Sequence, residues 1–139
     1  MRPMVPSSIP GVVHVEVMRG ARAQHGAPPD LLVEVPHGAD ERAHYDALHA
    51  QLHSPLPARL HGFFHANTDI GAWAYGRLVA ERVTVERPET TALLVRCLVP
   101  RTFVDTNREL AAPDDLARGG LTAATPPYVT DARDHALLN

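Results

Sequence analysis

The sequence predicts an α/β domain, a mostly parallel, mixed sheet flanked by helices. Three observations predict it. Residues 11–18 (GVVHVEVM), 31–35 (LLVEV) and 91–98 (TALLVRCL) are short runs rich in β-branched and aliphatic residues, bounded by Gly, Pro or charge. Between the second and third runs lie two segments whose apolar residues recur at helical spacing, and such alternation places helices on the faces of a sheet. The composition, 45% hydrophobic and 21% charged over 139 residues, suits one globular domain spanning 1–139.

The elements follow in order. After the strand at 11–18, residues 19–30 hold Gly20, Gly26, Pro28 and Pro29 and read as a loop. The strand 31–35 is stopped by Pro36, leaving His37 and Gly38 at its carboxyl end. Residues 41–53 read as a helix through Tyr45, Leu48 and Leu52. Pro55, Pro57 and Gly62 make 54–62 a break, and 63–66 a short strand or extended approach. Asn67, Thr68 and Asp69 look like a helix start with Asp69 as candidate N-cap, the helix running to about Val83 along Ile70, Trp73, Ala74 and Leu78. Pro100 interrupts the strand at 91–98, and 102–105 continue extended. Gly119, Gly120, Pro126 and Pro127 mark a long loop, and 130–138 begin a further helix. No internal repeat is visible. The last segment, DARDHALLN, shows no C-cap, and a sheet of three or four strands is a small core. The expectation is a fragment, or one piece of a larger protein.

Bulk charge narrows the function. A net charge of −3 gives no electrostatic case for nucleic-acid binding, which would usually show a basic face. All thirteen basic residues are Arg, which leaves no lysine for Schiff-base chemistry. The single cysteine, Cys97, excludes an intrachain disulfide. No apolar run approaches the roughly 18 residues of a membrane span, and no signal-peptide core is visible near the start. The expectation is a soluble cytoplasmic protein that engages no membrane. Of nine histidines, His44, His49 and His53 recur at helical spacing and read as a partly solvated face; His14, His25 and His61 lie in weakly patterned surroundings.

Three stretches carry chemistry. Pro36-His37-Gly38 follows a strand, where open α/β sheets bind ligands, and His37 is placed to hold a metal or simply to cap the strand end. In Asn67-Thr68-Asp69-Ile70-Gly71-Ala72, Asp69 either caps a helix or joins His37 as a carboxylate ligand; His plus carboxylate plus a further His is a common catalytic zinc set. His65 is a reserve ligand, and Asp40 and Glu41 are rival carboxylates, with Asp40 equally suited to capping the next helix. The most specific stretch is Arg101-Thr102-Phe103-Val104-Asp105-Thr106-Asn107-Arg108. Arg108 offers a planar fork for a carboxylate, Asn107 a neutral donor and Arg101 a second fixed charge. Asp105 could hold either Arg, and a structural Arg–Asp pair is the alternative.

Together the three stretches resemble the N-formylglutamate amidohydrolase family. That family shows a strand ending in Pro-His-(small)-Gly-like residues, an acidic residue opening a helix in Asp-x-Gly-Ala, and Arg-x-x-x-Asp-x-Asn-Arg. Here these are Pro36-His37-Gly38, Asp69-Ile70-Gly71-Ala72, and Arg101 through Asp105, Asn107 and Arg108. The resemblance covers roughly residues 31–110 and implies the N-terminal part of a larger hydrolase domain with a phosphorylase/hydrolase-like fold, related to zinc carboxypeptidases and aspartoacylases. It implies a zinc (or other divalent) ion on His37 and Asp69, a carbonyl-polarising Arg101, and substrate carboxylate held by Asn107 and Arg108. The implied reaction is hydrolysis of N-formyl-L-glutamate to formate and glutamate, a step of histidine degradation. The implied partners are a small N-acyl amino acid and, for completeness of the site, a second chain or a missing C-terminal half. A related amidase for other N-acyl amino acids, and a non-catalytic homologue that binds a carboxylate ligand or a partner chain, are the alternatives. The later His ligand and the general-base carboxylate of the family have no match in this sequence, and the segment between His37 and Asp69 carries an insert.

Overall fold

The three aliphatic runs fold as β1 (Val13–Arg19), β2 (Leu31–Val35) and β3 (Thr91–Cys97). In this computed structural model, which describes residues 6–109 and 123–138, they form one sheet of order β1-β3-β2. β3 is central, so its inward side chains are the most enclosed: Ala92 and Leu94 are fully buried. β2 runs parallel to β3, with Leu31 opposite Ala92 and Val35 opposite Arg96. β1 runs antiparallel to it, with Val13 opposite Cys97 and Arg19 opposite Thr91. The sheet is therefore mixed, as expected, but with one parallel and one antiparallel pair it is not mostly parallel. Apolar alternation reports that a strand exists and which face is buried, but not the direction of the strand it will pair with. Asp30 pins the parallel register. Its N–H donates to the Thr91 carbonyl, and its carboxylate accepts the Thr91 N–H, each at 2.8 Å.

The chain divides into two compact units. The sheet belongs to the first, made of Met1–Gly38 and Asp69–Leu98. Its helix, α3 (Ala72–Glu86), packs on all three strands. Gly76 permits the close approach: a Cβ there would lie 3.1 Å from a Val33 methyl and 3.4 Å from a Val35 methyl. Ala80, Ala92 and Leu94 form the core, walled by Met18, Leu31, Val33 and Trp73. Arg77 clasps Glu16 of β1 with Nε and Nη2, both at 3.0 Å. The helix starts later than the sequence suggests. Its N-cap is Gly71, at φ +85°, a left-handed conformation that glycine adopts without Cβ strain. Asp69 is thus not the cap.

The second unit comprises Ala39–Thr68 and Val99–Asn139. It holds α1 (Arg42–His49), α2 (Leu60–Ala66) and α4 (Ala132–Leu138) around Tyr45, Leu60, Phe64 and Phe103. Tyr45 stacks on Phe103 with ring centroids 5.2 Å apart. The expected strand at 63–66 is helix, because Leu60 and Phe64, four residues apart, both turn into this core (3% and 0% exposed). The expected extended run at 102–105 is a turn, closed by the N–H groups of Phe103 and Val104 on the Pro100 carbonyl. The helix at 41–53 ends at His49; beyond it, the N–H groups of His53 and Ser54 are spent on the Asp134 carboxylate. The expected helix at 130–138 is α4. Of the long loop, Gly119 and Gly120 lie outside the described residues. No helix among the described residues is long and apolar enough to cross a membrane.

Candidate functional site

Two constellations hold the residues singled out by sequence, one in each unit. In the first, Pro36 ends β2 and His37 follows it, 5% exposed. Asp69 sits in the loop ahead of Gly71. His37 Nδ1 and Asp69 Oδ2 are 3.1 Å apart, with the His side chain enclosed and the Asp side chain 56% exposed. Nearby, Arg96 of β3 donates from Nε to the Gly38 carbonyl at 2.7 Å and holds the turn that carries His37.

The pair admits two chemical uses. Two donors on one tetrahedral zinc, each ~2.0–2.2 Å from the metal, stand roughly 3.3–3.6 Å apart, a few tenths of an ångström beyond the observed separation. A His nitrogen and a carboxylate oxygen are also the right donor types. Used as a direct hydrogen bond, Nδ1–H donates to the carboxylate, which makes Nε2 the basic nitrogen and orients the ring. The residues fit a metal in part: they supply two protein donors in the first use and one, Nε2, in the second, where a catalytic zinc takes three.

In the second constellation Asp105, 7% exposed, is a hub. One carboxylate oxygen accepts from Arg101 Nε at 3.1 Å and from Arg108 Nε at 2.9 Å. The other accepts the backbone N–H of Asn107 at 3.1 Å. The Asp105 N–H donates to the Ala124 carbonyl, so the hub is anchored to a distant segment. Two guanidinium groups on one carboxylate leave a formal charge of +1. Both Arg side chains are partly exposed, 30% and 40%. With Asp105, Asn67, Phe63 and residues 123–127 they line a cleft of about 480 Å³. Asn107 contributes its backbone to the hub, and its side chain is not among the lining groups.

The other candidates fall elsewhere. Asp40, Glu41 and His44 gather donor atoms within 4.8 Å of one another. Their arrangement serves α1: Glu41 is its N-cap, and the Glu41 N–H donates to His44 Nδ1 at 3.2 Å. His65 lies against His61, ring centroids 4.7 Å apart.

Sequence reasoning missed the best-satisfied carboxylate, Asp134. It is 1% exposed and accepts from the Ser54 hydroxyl at 2.5 Å, the Ser54 N–H at 2.7 Å and the His53 N–H at 2.9 Å. Burial pushes its carboxyl up, but these bonds outweigh it and hold it at about 2. Burial pushes the Tyr128 hydroxyl up to about 12, with Tyr45 adding to the effect, and that hydroxyl donates to the Thr102 carbonyl. No sequence signal joins Ser54 to a residue 80 positions away. Compared with known proteins, the chain matches no family model, no curated protein and no solved structure.

Proposed function

We propose that the chain is the N-terminal part of a metal-dependent amidohydrolase that cleaves N-formyl-L-glutamate, or a closely related N-acyl amino acid. The observation that carries this reading is the pair Arg101 and Arg108, pinned on Asp105 at the wall of a cleft with a formal charge of +1. Arg108 presents a planar fork to a substrate carboxylate, and Asp105 keeps that fork from collapsing onto the surface. Arg101 steadies the negative charge that grows on the amide oxygen during attack; losing one such donor typically costs about 10²–10³ in rate. Zinc, when bound, supplies a Lewis acid and an ionisable water. His37 and Asp69 are the residues that would hold it, and the enclosure of His37 limits the ring's freedom to turn away.

A second reading, a carboxylate-binding protein without hydrolysis, is favoured by one observation. Among the described residues, the one His/carboxylate group with three donors close together is Asp40, Glu41 and His44, which does not include His37 or Asp69.

Calorimetry with N-formyl-L-glutamate and hydrolysis assays with added zinc distinguish the two. Removing one partner of a desolvated charge pair costs about 2–5 kcal/mol, so Arg108→Ala should weaken binding by well over tenfold, and Arg108→Lys should not restore it. A drop in melting temperature with affinity unchanged would reduce Arg108 to a brace for Asp105. Binding without turnover at saturating zinc leaves the carboxylate-binding reading. Zinc affinity of Asp69→Asn separates ligand from orienting partner: an orienting partner costs about 10–100-fold, and a direct ligand more.

A further inference from the structure

β2 is an edge strand. One side pairs with β3, and among the described residues no strand pairs with the other. Exposed edges are normally blunted by charge, proline or a bulge, because their free N–H and C=O groups recruit other chains. β2 reads LLVEV, and its only charge is Glu34. Beside it runs a groove of about 370 Å³ between β2 and α3. Val33, Val35 and Pro36 form one wall; Ala72, Tyr75 and Val79, at helical spacing on α3, form the other. Tyr75 is 70% exposed and Val79 36%, although both flank an apolar strand. An alkyl chain would fill the groove but strand the polar backbone of the edge. An extended peptide satisfies both at once: its backbone pairs with the strand, and alternate side chains enter the groove.

The charge decides which peptide. Among the described residues, the charged groups lining the groove are Glu34 and Asp69, and no cation is among them. Two copies of this chain pairing through β2 would bring two acidic rims together, which disfavours self-association. We propose that the β2 edge and its groove take an extended, cationic peptide with apolar side chains at alternate positions, bound as an added strand. The site goes beyond the hydrolase reading but shares Asp69 with it; where Asp69 holds a metal, Glu34 is the charge that remains for the peptide.

The test uses the full chain and three synthetic probes: a peptide alternating Val and Thr with Arg at both ends, the same peptide with Glu ends, and the Arg-ended peptide N-methylated at alternate amides. Amide NMR shifts upon addition of the Arg-ended peptide should concentrate on Leu31–Val35 and on Tyr75 and Val79. At low salt the Arg-ended peptide should bind about tenfold more tightly than the Glu-ended one, and N-methylation on the pairing edge should cost about tenfold. Glu34→Arg, a change at an exposed position, takes the rim from two negative charges to a balance of none and should abolish the preference between the two ends. Shifts away from β2, equal binding of both end types, or indifference to N-methylation in both pairing registers would overturn the proposal. So would a mass that doubles with concentration and is lost in Leu32→Pro, since the occupant would then be a second copy.

Discussion

The sheet unit and the helical unit are stabilised by different kinds of contact. In the first, backbone ladders are the chief long-range links, with side-chain pairs such as Arg77–Glu16 added to them. β1 and β3 pair over seven residues, and β2 and β3 over five. The side chains inside are small or aliphatic: Ala80, Ala92 and Leu94. In the second, the long-range links are individual side chains. Asp134 gathers His53 and Ser54, Tyr128 reaches Thr102, and Tyr45 stacks on Phe103. A ladder is made of backbone and persists when one side chain changes. A knot of side chains fails when its central member is lost. Single substitutions should therefore injure the helical unit more than the sheet unit.

The sharpest contrast comes from two fully buried residues, Phe103 in the helical unit and Leu94 on β3. Phe103→Ala should cost about 3–5 kcal/mol and Leu94→Ala about 2–5, with Phe103→Ala the larger of the two, read from urea midpoints. The first is a large part of the total stability of a domain this size. Hydrogen exchange should then show α1 and α2 opening in Phe103→Ala before the β3 amides. A larger loss in Leu94→Ala would break the comparison.

Ser54→Ala should come next. The Ser54 hydroxyl donates to Asp134 and accepts the N–H groups of Thr130 and Asp131, at 2.9 and 3.0 Å. Its removal leaves two backbone donors without that acceptor and takes one donor from a buried carboxylate. The melting temperature should fall more than in Thr84→Ala, where the hydroxyl donates to the Glu81 carbonyl of its own helix. Equal losses would mean that the Asp134 knot is peripheral to stability.

The smallest effect is a pH window. Asp134 is held at about 2, below its ordinary 3.8. A lowered folded-state value favours the folded form above the ordinary value, and that contribution disappears as pH falls from about 4 through about 2. Asp131, kept low by its hydrogen bonds from Arg133, acts in the same direction. Urea midpoints between pH 6 and pH 2 should decline, and Asp134→Asn should flatten the decline while lowering the plateau. An unchanged slope in that variant would place the acid sensitivity on other carboxylates.

Much of the sheet unit was legible from sequence. The run at 31–35 became β2 residue for residue, and the runs at 11–18 and 91–98 became β1 and β3 to within two residues. Strand formation there follows from aliphatic composition and bounding turns, which are local. α3 was legible in its body but not its start, because the preference of an Asp for a cap position yielded to a left-handed Gly71. In the helical unit α2 was hidden: Pro55, Pro57 and Gly62 suggested a break, and the Leu60/Phe64 spacing is too short a pattern to outweigh them. The Arg101–Asp105–Arg108 hub was legible as a motif, since its members are three and four residues apart. That one Asp105 oxygen serves both arginines was not.

The sequence by itself determined the three strands, the bodies of α1 and α3, the place of His37 at the carboxyl end of β2, and the clustering of two arginines near one acid. Tertiary structure alone decided the antiparallel direction of β1, the open edge of β2, the meeting of His37 with Asp69 and the enclosure of Asp134 by Ser54. The physical reason is range. Periodicity and turn chemistry act over a few residues and leave a signature in any short window. The pairing of residues 32 or 80 positions apart depends on which surfaces remain to be buried after those local elements form, and no short window contains that information.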